Sequence, residues 1–344
     1  MQLTLVVCGL VDLPASTLAA ADAGAPALTR LLAAAGAPTV ESDGTLAVLC
    51  AALDIAHQCD WPAAPWLAHG AGIDASAAYW LCADPAHFVV NRSDVRLDGI
   101  VRDLTDTEAA ALLATLSAHF ASVGVCLAEL DPAHWLMGAS SPQALSTSPA
   151  ETALGGPLLA FLPAGTNATR WRAWQNEIQM LLFEHPVNRE REAAGKIPVN
   201  GVWLWGGGAP ALAAPAPRLA MMHASAWLPG ALARARGVAC AALPASLEAL
   251  RDHSSRSPAL AWIEAHALAH SQPSTETLAE LDANWFAPAR GAFQNGSIRG
   301  LEIVLIGRGS ALRFGARRLS LARRLRTWGP APRLSKLLAP YLAG

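Results

Sequence analysis

Three short apolar runs constrain the fold of this chain most tightly. They are "LTLVVCGLVD" at residues 3–12, "PALAWIEA" at 258–265 and "RGLEIVLIGRG" at 299–309. Each is continuous rather than alternating, the pattern of a strand buried on both faces in a helix-covered parallel sheet. Helical patterns lie between them. "APALTRLLAAAG" follows the first run and stops at Gly36, and "VESDGTLAVLCAALDI" reads as a loop opening a second helix. "TETLAELDANWFAPARGAF" is a helix joining the second and third runs. This alternation predicts an α/β fold around a doubly wound, mostly parallel sheet.

Composition excludes several alternatives. With 53% apolar residues over 344, the chain can bury a large core and is not a disordered segment. Lys+Arg of 25 against Asp+Glu of 27 leaves a net charge of −2, so nucleic acid is not an expected partner. No apolar run reaches the length of a membrane span, about 18 residues. The start, "MQLTLVVCGLVDLP", lacks the basic flank and cleavage site of a signal peptide. Cys8, Cys50, Cys59, Cys82, Cys126 and Cys240 form no C-x-x-C pair, so reduced thiols and a cytoplasmic location are expected.

From about Tyr79 the character changes. "HFVVNRSDVRLDGIVRDL" reads as short strands joined by polar turns. In "TDTEAAALLATLSAHF", Thr105 and Glu108 make a capping box, while Leu112, Leu113, Leu116 and Phe120 line one face. "VGVCLAEL" and "HWLM" are strands, and residues 138–157 read as a linker or exposed loop. The expected division is a core of residues 1–79 and 166–315, an inserted α+β domain at 80–165, and a basic tail at 316–344. Beyond Glu302 the chain has no acidic residue.

The densest chemistry lies in "EHPVNREREAAGKIPVNGVWLWGGG", residues 184–208. Pro186 takes His185 out of the preceding helix, and Asn188 is placed to cap the next one. An apolar strand then ends in three glycines. At the carboxyl edge of a parallel sheet, bare backbone N–H groups suit an anion. His185, Asn188, Arg191, Asn200, Gly206, Gly207 and Gly208 are therefore candidates for a phosphate or carboxylate site. For each residue singly, helix punctuation and a solvated charged face are the plainer reading.

This segment resembles the signature of the archaeal-type, cofactor-independent phosphoglycerate mutases of the alkaline phosphatase superfamily. It resembles most closely the RpfE-type regulatory proteins of bacteria. The resemblance implies an alkaline-phosphatase-like doubly wound core with an inserted small α+β domain, two divalent metals and a serine nucleophile. "CGLVDLP" is similar to the first metal motif, with Gly9, Asp12 and Pro14 matching and Cys8 where the metal-binding Asp stands. "ESDGTLAVLCAALDI" puts Ser42 at the nucleophile and Asp43 beside it, although Ser42 also suits a helix N-cap. Arg308 and Gly309 stand at the family's Asp-His metal pair. In "WIEAHALAH", Glu264, His266 and His270 are remnants of its other metal motif. Asp12, His266 and His270 are thus the remaining metal candidates, and Arg308 is a phosphate-binding candidate. The Asp-His pair in "RDHSSRS" is read as a chance match.

Three functional readings follow. The first is a mutase-like protein that has lost its metals and serves a regulatory or ligand-sensing role, with no cofactor. Its partner is a small phosphorylated or carboxylated ligand, alone or with a protein. The second is an active phosphotransferase with a remodelled site built on Ser42, Cys8, His266 and His270, with Mn or Zn. The third is an interaction module acting through the basic tail, on nucleic acid or an acidic protein.

Overall fold

The computed structural model describes residues 1–41, 44–73, 77–91, 94–210, 214–253, 257–265, 274–307, 309–316 and 333–341. They form two compact units, Met1–Leu53 with Ala216–Gly344, and Asp54–Pro215.

The first unit is built on a seven-stranded sheet, β11-β10-β12-β1-β13-β14-β2. Its strands are β1 (Gln2–Cys8), β2 (Thr39–Glu41), β10 (Met221–Ala224), β11 (Ala239–Ala241), β12 (Ala259–Glu264), β13 (Gly300–Ile306) and β14 (Ala311–Ala316). β1 lies parallel between β12 and β13, and β14 runs against the rest. The three apolar runs are thus the three central strands, and their residues are buried on both faces. Helix Pro26–Ala35 ends at Gly36, whose φ of 88° closes it. Its N-terminus lacks a side-chain cap of its own; Asp282 supplies one, accepting from the N–H groups of Ala27 and Leu28 at 3.1 and 2.7 Å. Asp282 opens a π-helical turn, Asp282–Phe286, between helices Thr275–Leu281 and Ala287–Asn295. Near the end of the chain, helix Leu334–Leu338 buries Leu334 and Leu338 in this core, and Asp22 accepts from the Ser335 N–H and hydroxyl. Residues 317–332, most of the basic tail, lie outside the described residues.

The second unit holds a five-stranded antiparallel sheet. β3 (Tyr79–Val90) pairs with β4 (Val95–Ile100), β6 (His134–Ala139) and β9 (Gly201–Gly208), and β5 (Val125–Asp131) pairs with β6. Helix Asp106–Phe120 packs on β5 and helix Ala168–Phe183 on β9, around a core of Trp135, Trp171, Leu112, Leu116 and Phe120. The Thr105–Glu108 capping box is present, and Leu112, Leu113, Leu116 and Phe120 are buried as their spacing predicts.

Two expectations differ from the structure. The smaller unit spans 54–215 rather than 80–165, because β9 pairs with β3 instead of joining the parallel sheet. All eight residues of β9 are buried, so its apolar run looks like that of a parallel core strand. The segment expected as a linker also carries structure. β7 (Leu145–Ser146) pairs with β8 (Ala164–Gly165), and a short helix spans Ala150–Ala153. All six cysteines are free thiols. Among the described residues, no helix is long and apolar enough to cross a membrane.

Candidate functional site

His185 is the N-cap of helix Pro186–Ala193, with Pro186 at its first turn. The Val187 N–H donates to His185 Nδ1 at 3.3 Å, which leaves Nε2–H to donate to Thr115 Oγ1 at 3.0 Å. Burial lowers the His185 pKa, in keeping with this neutral tautomer. Asn188 is therefore not the cap. It is buried within the helix, donating to the Leu182 and Val199 carbonyls at 2.7 Å each and accepting from the Val199 N–H at 2.8 Å. Arg191 has 0% side-chain exposure. Its guanidinium donates to Asp103 at 2.6 Å, Glu108 at 3.1 Å and the Ile197 carbonyl at 2.8 Å. Asn200 exchanges two hydrogen bonds with the Phe88 backbone, both 2.8 Å, continuing the β9 ladder beyond its last backbone pair.

These four side chains therefore clamp the entry to β9, and their polar atoms are taken up by the fold. That corrects their reading as anion ligands. The glycines, moreover, end the same strand. Successive strand residues advance about 3.3 Å, so Gly201 and Gly208 are roughly 20 Å apart. Closeness in sequence is undone by the extended backbone.

Gly206, Gly207 and Gly208 form no open loop either. A Cβ on Gly207 would run into Tyr79 and Leu81, and one on Gly208 into Pro62. The Gly207 N–H does meet an anion, but it belongs to the chain. Asp60, 6% exposed, accepts from the N–H of Gly207 at 3.3 Å, of Thr147 at 3.1 Å and of Trp61 at 2.8 Å. The Thr147 hydroxyl also donates to Asp60 while accepting from the Gly206 N–H at 3.0 Å. Burial raises the Asp60 pKa, and these hydrogen bonds oppose the rise. Gln58 takes the Ala209 N–H and carbonyl at 2.9 and 3.0 Å.

Composition and spacing do not reveal this carboxylate hub, nor the buried Asp84 on β3. Asp84 accepts from Trp205 Nε1 at 2.8 Å, and burial raises its pKa to about 7, against that hydrogen bond and the Arg102 charge. The signal was a lone charge inside the apolar run "YWLCADPAHFVV".

In the first unit, the carboxyl edge of the parallel sheet brings other candidates together. Cys8, 9% exposed, ends β1 in register with Glu264 of β12 and Ile306 of β13. The Gly9 N–H donates to the Ile306 carbonyl at 2.8 Å, and the loop that follows approaches Gly307 closely. A Cβ there would lie 2.7 Å from Asp12 Oδ1 and 2.6 Å from Val11, so a larger residue would have to push those side chains aside. Asp12 itself is exposed. The edge thus gathers Cys8, Asp12 and Glu264, at the place where α/β sheets receive ligands. A soft thiol and two carboxylates do not match a hard two-metal cluster. Among the described residues, no group of three or more His, Cys, Asp or Glu is placed to hold a metal ion. Ser42, Asp43, His266, His270 and Arg308 lie outside the described residues.

No family model matches the chain. A probable 2,3-bisphosphoglycerate-independent phosphoglycerate mutase from Geobacter sulfurreducens is 34% identical over 115 residues, 32% of this chain and 27% of that protein. A 2,3-bisphosphoglycerate-independent phosphoglycerate mutase from Methanothrix thermoacetophila is 36% identical over 85 residues, 25% of this chain and 20% of that protein. The chain thus spans about a quarter of the length of the curated relatives it matches. Among solved structures, a cofactor-independent phosphoglycerate mutase from Thermoplasma acidophilum is 16% identical. That alignment covers 92% of this chain and 89% of the other, with a TM-score of 0.42. A protein from Pyrococcus horikoshii is 13% identical over 91% of this chain and 87% of its own, with a TM-score of 0.45. The chain is therefore an α/β protein with a mostly parallel central sheet and a segment similar to phosphoglycerate mutases.

Proposed function

We propose that this chain is a phosphoglycerate-mutase-like protein of RpfE type that senses a small phosphorylated or carboxylated ligand rather than transforming one. The ligand binds at the carboxyl edge of the parallel sheet, and Arg308, next in sequence to Gly307, supplies the positive charge. One observation carries the reading. Cys8 ends the central strand β1, facing Glu264 and Ile306 in register, at the position that the resemblance gives to a metal-binding Asp. Phosphoryl transfer by paired metals needs ligands that hold both ions and clamp the transferring oxygens. A serine hydroxyl such as Ser42 stays a poor nucleophile without that activation. An arginine is a permanent cation that binds phosphate bidentately and cannot activate a hydroxyl. A cation in place of paired metals thus suits binding better than catalysis.

A coupled mutase assay in added Mn²⁺ or Zn²⁺, on wild type and Ser42→Ala, tests the proposal. Equal background rates are expected. Turnover abolished in Ser42→Ala would replace this reading with an active phosphotransferase.

A further inference from the structure

β5 is an edge of the antiparallel sheet in the second unit, and among the described residues it pairs with β6 alone. It lies wholly within that unit, so its behaviour does not depend on the ligand proposed for the parallel sheet. The Ser140 N–H donates to the Gly124 carbonyl at 2.9 Å, and the ladder continues from Val125 opposite Ala139 to Glu129 opposite Trp135. Hydrogen-bonded and non-hydrogen-bonded pairs alternate along an antiparallel ladder. Cys126 and Ala128 therefore turn their backbone groups to β6, while Val125, Leu127 and Glu129 turn theirs outward. Among the described residues no backbone hydrogen bond reaches these outer groups. Each of the three residues thus offers an N–H and a carbonyl, repeating about every 7 Å, a pattern that another extended chain matches. Lysine and proline, which commonly guard such edges, are missing from the strand.

The side chains around the edge select among strands. Val125 and Leu127 point to the face covered by helix Asp106–Phe120, packing with Leu112, Leu113 and Leu116. Glu129, two residues further, points to the same face. One flank of that helix is taken up by the unit itself, since Glu108, Thr115 and His119 meet Arg191, His185 and Glu177. The other flank carries Asp106, Ala110 and Ala114 at i, i+4 and i+8, all exposed. Helix Ala168–Phe183 packs on β9, at the far side of the sheet from β5, so this second flank looks out past the β5 edge. Burial and the charges of Asp106 and Asp131 raise the Glu129 pKa, and among the described residues no cation pairs with Glu129. Asp131 is held by His134 at 2.7 Å. The strand, "VCLAELD", has two acids and no base, so a second copy of β5 brings no compensating charge. A basic segment does.

We propose that the outer edge of β5 receives an extended segment of a partner protein as an added antiparallel strand, with an arginine or lysine set against Glu129 and Asp106. Residues of that segment opposite Leu127 and Val125 point to the helix side, where the small Ala110 and Ala114 leave room for β-branched side chains. Backbone hydrogen bonds supply the affinity, and the acidic end fixes the register.

The test is fluorescence anisotropy of the fluorescein-labelled peptide Arg-Thr-Val-Thr-Val-amide titrated with the full chain. Its arginine falls opposite Glu129 and its valines opposite Leu127 and Val125. Methylating both valine nitrogens removes donors that face β5 and should weaken binding about tenfold. Methylating both threonine nitrogens, which face away, should change it little. Replacing the peptide arginine by glutamate should weaken binding about fivefold, and Glu129→Lys should reverse that preference. Thermal unfolding confirms that this variant is folded. Absence of wild-type binding, equal binding of the two methylated peptides, or an unchanged charge preference in folded Glu129→Lys overturns the proposal. So does sedimentation of the chain as a dimer that excludes the peptide, which would give the edge to a second copy.

Discussion

The Gly207 N–H donates to the Asp60 carboxylate at 3.3 Å, so the glycine strand already holds an anion supplied by its own chain. Asp60→Ala would strand the N–H groups of Trp61, Thr147 and Gly207 in a buried setting. Each unpaired group costs about 1–3 kcal/mol, so a loss of about 3 kcal/mol or more is expected in urea unfolding. Asp60→Asn keeps an acceptor oxygen and should lose less. An Asp60→Ala protein as stable as wild type would show that the hub contributes nothing.

Arg191 should behave as a structural ion. Arg191→Ala leaves the Ile197 carbonyl without its donor, removes the cation from Asp103 and Glu108 and opens space under helix Pro186–Ala193, at a cost of about 2 kcal/mol or more. Arg191→Lys cannot reproduce its three-way fork and should recover only part. Burial pushes the Glu108 pKa up, but hydrogen bonds from Thr105 and Arg191 outweigh it and the net shift is downward. A lowered carboxylate stabilises the fold above its unfolded pKa, and that stability is lost as pH falls through the folded value. Wild type should therefore lose stability towards acid, with a shallower loss in Arg191→Ala. Phosphate affinity should be the same in both, as read by titration.

Asp84 gives the opposite pH dependence. Its carboxyl titrates near 7 in the fold and at an ordinary 3.8 when unfolded. Between those values the unfolded chain has released a proton that the folded chain keeps, so stability falls as pH rises and levels off above 7. The full window corresponds to about 4 kcal/mol. Asp84→Asn still accepts from Trp205 and carries no charge. It should match wild type near pH 4 and exceed it by a few kcal/mol at pH 8 in denaturant unfolding. Equal stability at both pH values would mean that Asp84 is ionised at no cost.

Much of the first unit was legible because continuous apolar runs have one common solution, a strand covered on both faces. β1, β12 and β13 follow from it, while the capping box in the second unit was legible from Thr105 and Glu108 three residues on. β9 was misplaced for the same reason, since "GVWLWGGG" is equally buried in an antiparallel sheet. Residues 184–208 looked like a site because charge and glycine are adjacent in sequence. Their separation follows from the extended backbone of β9, and the capture of the Gly207 N–H by Asp60 and of the Gly206 N–H by Thr147 depends on tertiary contacts. No local spacing encodes these.

Gln175 Oε1 is buried and, among the described residues, has no hydrogen-bond partner. Gln175→Met keeps the volume and removes that acceptor, so the protein should gain about 1 kcal/mol in thermal or urea unfolding. A loss of stability on this substitution would show that the glutamine is already satisfied in the native state.

Whether the carboxyl edge that ends in Cys8 holds the metals of a phosphotransferase is decided most directly by metal content. The full chain is equilibrated with Mn²⁺ and, separately, Zn²⁺, dialysed, and analysed by inductively coupled plasma mass spectrometry. The proposed reading, in which Cys8 replaces a metal-binding carboxylate and Arg308 and Gly309 replace an Asp-His pair, predicts far less than one ion per chain with either metal. Two ions per chain would contradict the account.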